Sequence, residues 1–285
     1  MILITGSSGQ LGSYLIESIP NSVGLDIRPS KFTEIVGDIR GNLDILLKNY
    51  EIDAIIHAAA QVSVVKSVED PKNDADNNIM GTINLLEYAR KYDVEQFIYI
   101  SSAAVYGEPK YLPIDERHPT GPKSPYGLSK LTGERYSLLY SELYGLKVAS
   151  IRPFNIFSPR QDPNSPYSGV ISIFVSRAKK GLPLIIYGDG EQTRDFVNVQ
   201  DVVHLVKLAL AKKADGVYNC GTGKETSINE LAKIIAELSG KGIKIVHDKP
   251  REGDIRKSYA DISKAIEIGY EPKTNLKEDL KNYFF

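Results

Sequence analysis

Tyr126 and Lys130 stand four residues apart in the run Ser124-Pro125-Tyr126-Gly127-Leu128-Ser129-Lys130. Ser124 has an N-capping side chain and Pro125 suits a first helical position, so the spacing predicts a helix with the phenol and the ammonium on one face. A tyrosine that removes protons near neutral pH must lose its own. That is a fall of about 3 to 4 units from about 10, or about 4 to 5 kcal/mol. Positive charge must supply it. Lys130 is one source, and Ser102, at the end of a predicted strand, offers a hydroxyl partner. A chance surface Tyr/Lys pair has the same spacing, so the constellation gains meaning only from its surroundings.

The first surrounding signal is Thr5-Gly6-Ser7-Ser8-Gly9-Gln10-Leu11-Gly12, which follows an apolar run and opens a helix. Glycines at this spacing let a pyrophosphate approach the backbone and the positive helix N-terminus, and the last one permits close helix–sheet packing. Asp26 ends the next strand, twenty residues after Gly6. A carboxylate there accepts from both adenosine ribose hydroxyls and repels a 2′-phosphate, which selects NAD, with Arg28 leaving NADP as an alternative. The oxidised nicotinamide ring is then a second source of positive charge for Tyr126. Asp38-Ile39 follows the third strand and could hold the adenine edge, although a plain surface aspartate reads the same way.

These residues need a scaffold, and the hydrophobic pattern predicts one. Met1–Thr5, Ser22–Ile27, Ala54–His57 and Phe97–Ile100 read as buried parallel strands; Leu11–Ile19, Leu43–Tyr50 and Ala75–Tyr92 carry helical spacing. Alternation of this kind predicts an α/β fold, a doubly wound parallel Rossmann sheet covered on both faces. Lys147–Ile151 adds a further strand. Beyond Pro153 come turn-rich pieces (Ser158–Ser168, Tyr187–Gly190, Gly221–Gly223) and shorter helices at Ile228–Leu238 and Leu276–Tyr283. The expected organisation is a dinucleotide-binding domain over 1–153 and a smaller α/β substrate-binding domain over 154–285, with a soft boundary across which the chain can return.

Composition narrows the function classes. Over 285 residues, 35 Lys+Arg against 36 Asp+Glu leave a net charge of −1, which gives no field to draw in a nucleic acid. Cys220 is the single cysteine and the four histidines are scattered, so no metal site is expected. The opening MILITG has no basic leader, and no apolar stretch is long enough to span a membrane, which predicts a cytoplasmic protein. His57 reads as satisfying local backbone, Cys220 as inert packing, and Lys212-Lys213 as solvated.

With these motifs in place, the chain resembles the extended short-chain dehydrogenases/reductases, and most closely the NAD-dependent UDP-hexose 4-epimerases. The likeness runs nearly end to end. Besides the glycine turn and the Tyr/Lys pair it includes His57-Ala58-Ala59-Ala60, Asn78-Ile79-Met80-Gly81-Thr82, Ser101–Gly107, Arg152-Pro153-Phe154-Asn155, Gly188-Asp189-Gly190, Arg194-Asp195-Phe196 and Arg251-Glu252-Gly253-Asp254. The resemblance implies a catalytic triad of Ser102, Tyr126 and Lys130. It implies NAD contacts from Gly6, Gly9, Gln10, Leu11, Gly12, Asp26, Asp38, Ile39, Ala58, Ala59, Ala60, Asn78, Tyr126, Lys130 and Pro153. It also implies UDP-sugar contacts: Arg194 and Arg251 on the diphosphate, Asn155 on the diphosphate or sugar, Asp254 on the uridine ribose and Tyr187 on the uracil. For Tyr187 a core role is an equal alternative. Related 4,6-dehydratases carry a Thr-Asp-Glu run where this chain has Ser102-Ala103-Ala104, which argues against dehydration. A net oxidoreductase acting on a nucleotide sugar or small alcohol, and a silent NAD-binding regulator, are the other readings.

Two further expectations concern specificity and assembly. At the position where relatives restrict sugar carbon 2 with tyrosine, this chain aligns Ser258. With Ser63 near the same pocket, N-acetyl sugars are expected as substrates beside the simple hexoses. Ser158 replaces the family's usual glycine before Pro-Arg. On the predicted helix, Leu128, Leu131, Tyr136, Leu138, Leu139, Tyr140, Leu143 and Tyr144 cover roughly two thirds of the circumference, wider than one buried stripe. Relatives pair such helices between subunits, so a homodimer is expected.

Overall fold

The computed structural model describes residues 1–161, 169–251 and 253–284. The first half alternates β1 (Ile2–Thr5), α1 (Gln10–Ser18), β2 (Ser22–Asp26), β3 (Ile35–Val36), α2 (Leu43–Leu46), β4 (Ala54–His57), α3 (Val64–Glu69), α4 (Pro71–Ala75), a π turn (Asp76–Met80), α5 (Gly81–Lys91), β5 (Gln96–Ile100), α6 (Pro125–Tyr144) and β6 (Lys147–Pro153). There follow β7 (Asn155–Phe157), α7 (Val170–Lys179), β8 (Leu184–Tyr187), β9 (Thr193–Arg194), β10 (Phe196–Asn198), α8 (Val199–Ala211), β11 (Gly216–Cys220), β12 (Thr226–Ser227), α9 (Ile228–Ser239), β13 (Ile245–Asp248), α10 (Ser263–Glu267) and α11 (Leu276–Lys281).

Seven strands form one parallel sheet in the order β11-β6-β5-β4-β1-β2-β3. Its strands are apolar on both faces because both are covered. Ile4, Ile56 and Ile98 pack with α1 and α8, while their neighbours Leu3, Ile55 and Phe97 pack with α5 and α6. Strand order reverses between β1 and β4, so the carboxyl ends of these strands flank the crevice where such sheets hold ligands. The edge strand β11 comes from beyond residue 153 and pairs with β6 from Gly216↔Ala149 to Cys220↔Pro153. A second, smaller core gathers Phe174, Leu184, Ile186, Leu231, Ile235 and Leu280 around α7, α9 and β8. Among the described residues no helix is long and apolar enough to cross a membrane.

The five strands bounded from the sequence match β1, β2, β4, β5 and β6 to within two residues, whereas the sequence pattern sets no bounds for β3 and β11, and two helices differ. The helix predicted over 43–50 is one turn, Leu43–Leu46, capped by Asn42. The helix predicted over 75–92 is interrupted at its start by the π turn, through which the backbone stays right-handed helical. The extra residue of that turn is invisible to a 3.6-residue periodicity, and it carries Asn78. Of the turn-rich stretch 158–168, residues 162–168 lie outside the described residues, as does Glu252.

Candidate active site

The glycine turn joins β1 to α1 at the crevice. Gly6 has φ +72°, and a Cβ there would lie 2.6 Å from the Ala59 amide nitrogen; one on Gly12 would lie 2.1 Å from the Gly6 carbonyl oxygen. Both are therefore required by close approach of backbone to backbone. A Cβ on Gly9 would meet only that same oxygen, at 3.0 Å, so the outer face of the turn is open to a phosphate. Asp26 is 6% exposed, and its carboxylate is fixed by the amides of Ser8 (3.0 Å) and Arg28 (2.9 Å). Glycine cradle and acidic strand end thus fit a dinucleotide. Ala58 and Ala59 are tied to Thr5 and lead into Ala60 beyond β4. Gln10 and Leu11 open α1, where the Gln10 amide donates to the fully buried Ser158 Oγ at 3.0 Å. Asp38 is engaged by Arg40 (2.6 Å), which holds its carboxyl below the usual range, and Ile39 is buried.

The helix α6 starts as its sequence requires: Ser124 Oγ accepts from the Gly127 amide at 3.1 Å and Pro125 takes the first turn. The Ser102 hydroxyl stands beside the Tyr126 phenol and acts on its ionisation, and Ser102 Oγ accepts from the Ala104 amide at 3.1 Å. One turn on, Lys130 is 3% exposed with Nζ 4.3 Å from the centroid of the Tyr99 ring. Tyr99 can lie there because residue 133 is glycine; a Cβ would come within 2.4 Å of the Tyr99 hydroxyl. Burial pushes the Lys130 ammonium down to about 7, against the opposing charges of Glu134 and Asp74. The Tyr126 phenol is pushed above its ordinary value, by burial first and by Asp74 in the same direction, while the Ser102 hydrogen bond acts the other way.

Sequence reasoning missed much of what lies behind this pair. Glu134 is fully buried and accepts from Arg152 Nε (2.9 Å) and Nη2 (2.5 Å) and from Ser150 Oγ (3.1 Å). Arg152 also donates to the Tyr106 hydroxyl at 2.8 Å. The i, i+4 spacing of Lys130 and Glu134 was the available signal. His57 bonds two threonine hydroxyls, Thr5 (2.8 Å) and Thr82 (3.0 Å), rather than backbone, because strand register places Thr5 beside it. Burial, helped by the Lys130 charge, holds its imidazole well below the ordinary value. Asn78 is buried: its Oδ1 accepts from the Gln61 amide (2.8 Å), and its Nδ2 faces the Gln61 carbonyl, Asp74 and Ser129. Cys220 is buried 3.7 Å from the Tyr270 hydroxyl, with its thiol pushed up by burial.

A second cluster gathers most of the residues expected to meet substrate. Arg194 Nη1 donates to the carbonyls of Thr193 (2.8 Å) and Ile255 (2.7 Å), and Nη2 pairs with Asp254. The Arg251 guanidinium lies 4.0 Å over the Tyr187 ring, and Gln192 joins Tyr187 to Asp254. Asn155 is exposed at the start of β7, two residues past Pro153, and its amide bonds the Asp195 carbonyl at 3.0 Å. Ser258 is partly buried just before Tyr259, whose carbonyl bonds the Ile114 amide. Ser63 stands apart from this cluster: it caps α3, accepting from the Lys66 amide at 3.1 Å.

Residues 2–221 match the profile of the NAD dependent epimerase/dehydratase family. The chain belongs to that family. It is similar to a UDP-glucose 4-epimerase of Mycolicibacterium smegmatis, 38% identical over 98% of this chain and 95% of that one. Among solved structures, the UDP-glucose 4-epimerase of Thermus thermophilus in complex with NAD superposes with a TM-score of 0.91 at 35% identity, covering 99% of this chain and 98% of that one. The UDP-N-acetylglucosamine 4-epimerase of Methanobrevibacter ruminantium, in complex with UDP-N-acetylmuramic acid, gives 0.94 at 33% identity, covering 99% and 96%. As a member of this family the chain is an NAD-dependent enzyme.

Proposed function

We propose that this protein inverts carbon 4 of a UDP-linked hexose through a 4-keto intermediate, using tightly held NAD. The observation that carries the reading is Tyr126, beside Ser102 and one helical turn from the buried side chain of Lys130. The relatives named as UDP-sugar 4-epimerases support it. Bound NAD supplies the hydride acceptor and donor for carbon 4, and its oxidised ring carries positive charge. The residues that would hold it are the Gly6–Gly12 turn at the pyrophosphate, Asp26 at the adenosine ribose, Asp38 and Ile39 by the adenine, Ala58–Ala60 and Pro153 at the strand ends, Asn78 in the π turn, and Tyr126 and Lys130 on α6.

Tyr126 takes the proton of the sugar 4-hydroxyl and returns it. Ser102 holds that hydroxyl in line and lowers the cost of the phenolate. Because burial and Asp74 both oppose ionisation of Tyr126, the base depends on positive charge beside it, a role that falls to Lys130 one helical turn along and to the oxidised ring. Arg194 and Arg251 grip the diphosphate, whose forked recognition suits guanidinium. Asn155, Asp254 and Tyr187 contact sugar, ribose and uracil. Binding energy from the unreacting nucleotide retains the keto sugar while it turns to present its other face. Ser258 leaves room for an acetamido group, so UDP-glucose, UDP-galactose and their N-acetyl forms are all substrates.

The outer face of α6 completes the proposal. Leu128, Tyr136, Leu139, Leu143 and Tyr144 are exposed there, while Ser129, Gly133, Glu134 and Ser137 face inward. A second copy covers that apolar face in a homodimer. The activity is tested by incubating purified protein with UDP-galactose and no added NAD. UDP-glucose forming without build-up of reduced cofactor supports the reading. Reduced cofactor rising with substrate consumed indicates a net oxidoreductase, and no product indicates a regulator or an enzyme for another sugar.

A further inference from the structure

Asp74 is a buried carboxylate that touches neither substrate nor reacting proton in the chemistry proposed above. It lies on α4, is 1% exposed, and receives the Gln61 side-chain amide at 2.9 Å and that of Asn78 at 3.1 Å. The Asn78 amide also reaches Ser129 Oγ at 3.0 Å, on the residue preceding Lys130, and Ser129 in turn donates to the Tyr126 carbonyl at 3.0 Å. One hydrogen-bonded chain therefore runs from the loop after β4, through Asp74 and the π turn, to the helix that carries Tyr126 and Lys130. Asn78 has two amide protons for three acceptors, so the chain is tight and every member limits the others.

The charges around this chain are unequal. Glu134, the other anion near Lys130, already has Arg152 as partner. Tyr99 offers Lys130 its ring, and His57 carries no compensating negative charge. Lys123 lines the cavity that reaches Asp74 beside Pro125, Leu128 and Ser129, outside this buried set. The buried carboxylate of Asp74 is thus linked through Asn78 to Ser129, the residue beside the buried Lys130, and its charge acts on Tyr126, Lys130 and Tyr99 alike. At such depth charges are weakly screened.

We propose that Asp74 is a positioning residue for the reaction, a tethered buried carboxylate that holds the register of the Tyr126–Lys130 helix and supplies the anion opposite the Lys130 ammonium. It fixes the pH window in which phenol and ammonium work together. The kinetic part of this inference rests on the epimerase reading; the charge coupling does not.

The test is Asp74→Asn, which keeps shape and removes charge. In the wild-type protein labelled with 13C-lysine, the Lys130 side-chain NMR resonance, identified by its loss in Lys130→Arg, is expected to titrate near pH 7. Without the anion the ammonium is less stable, so the midpoint falls by about half to one pH unit. The phenol also loses an opposing charge, so both limbs of the pH–kcat profile move to lower pH together. An unmoved Lys130 midpoint, with or without a lower rate, overturns the proposal. A wild-type protein that does not epimerise UDP-sugars defeats the functional reading while the NMR titration still decides the role of Asp74. If Asp74→Asn does not fold, Asp74→Ser is titrated in its place; failure of both assigns Asp74 to folding alone and overturns the proposal.

Discussion

The two ends of the proposed site are built differently. At the crevice the chemistry-bearing groups are locked by backbone and burial: the glycine turn allows no Cβ at Gly6 or Gly12, two amides fix Asp26, and Lys130 is sealed over Tyr99. At the other end, Arg194 is held by Asp254 and two carbonyls, and Arg251 is an exposed cation laid on Tyr187. The first end is a preorganised frame for one dinucleotide. The second is a set of polar contacts that a diphosphate can replace, since its oxygens offer the guanidinium groups what Asp254 and the Tyr187 ring provide. The difference predicts that damage at the crevice falls on kcat, and damage at the arginine cluster on KM.

The largest effect is expected from Tyr126→Phe, which removes the proton carrier. A fall in kcat of about 10² to 10⁴-fold with little change in thermal midpoint is the expected result in steady-state kinetics and melting experiments. Arg194→Leu is expected to lower kcat/KM for UDP-galactose by about 10 to 100-fold, chiefly through KM; a matching loss in kcat would erase the contrast between the two ends. Ser258→Tyr is expected to depress N-acetyl turnover about 10-fold relative to the simple hexose, measured by competition between the two substrates.

Stability sharpens the comparison further. Lys130 is held down to about 7 in the folded chain, from an ordinary value of 10.5. The unfolded chain therefore binds more protons between those values, and the cost of the buried ammonium is complete below about pH 7 and fades as pH rises. Lys130→Met is expected to resist urea better than wild type by a few kcal/mol below pH 7, with the advantage vanishing near pH 10.5. Smallest in energy is the assembly effect. The wild-type chain is expected to scatter light as two chains at micromolar concentration, and Leu139→Glu with Leu143→Glu as one.

The legible part of this molecule was local. The cap at Ser124, the proline at 125, the shared face of Tyr126 and Lys130, the glycine turn and the strand-end aspartate all follow from neighbours in the chain, and the structure has each of them. The illegible part arises from contacts between distant segments. Nothing near Lys130 in sequence announces Tyr99 beneath it, and nothing near Arg194 announces Asp254 sixty residues on. Helix α6 also defeats the usual reading of amphipathicity. Its inward face holds Ser129, Lys130, Gly133, Glu134 and Ser137, while large apolar residues point outward. Close approach to Tyr99 and a buried polar network require small or charged residues inside, so five of the eight apolar residues read from the sequence lie on the exposed face while Leu131, Leu138 and Tyr140 pack at its edges.

The central claim is that the hydrogen on sugar carbon 4 leaves and returns without meeting water, while Tyr126 handles only the hydroxyl proton. Turnover of UDP-galactose in deuterium oxide, followed by NMR of the recovered UDP-glucose, tests it most directly. The account predicts no deuterium at carbon 4 after many turnovers; deuterium there would contradict it.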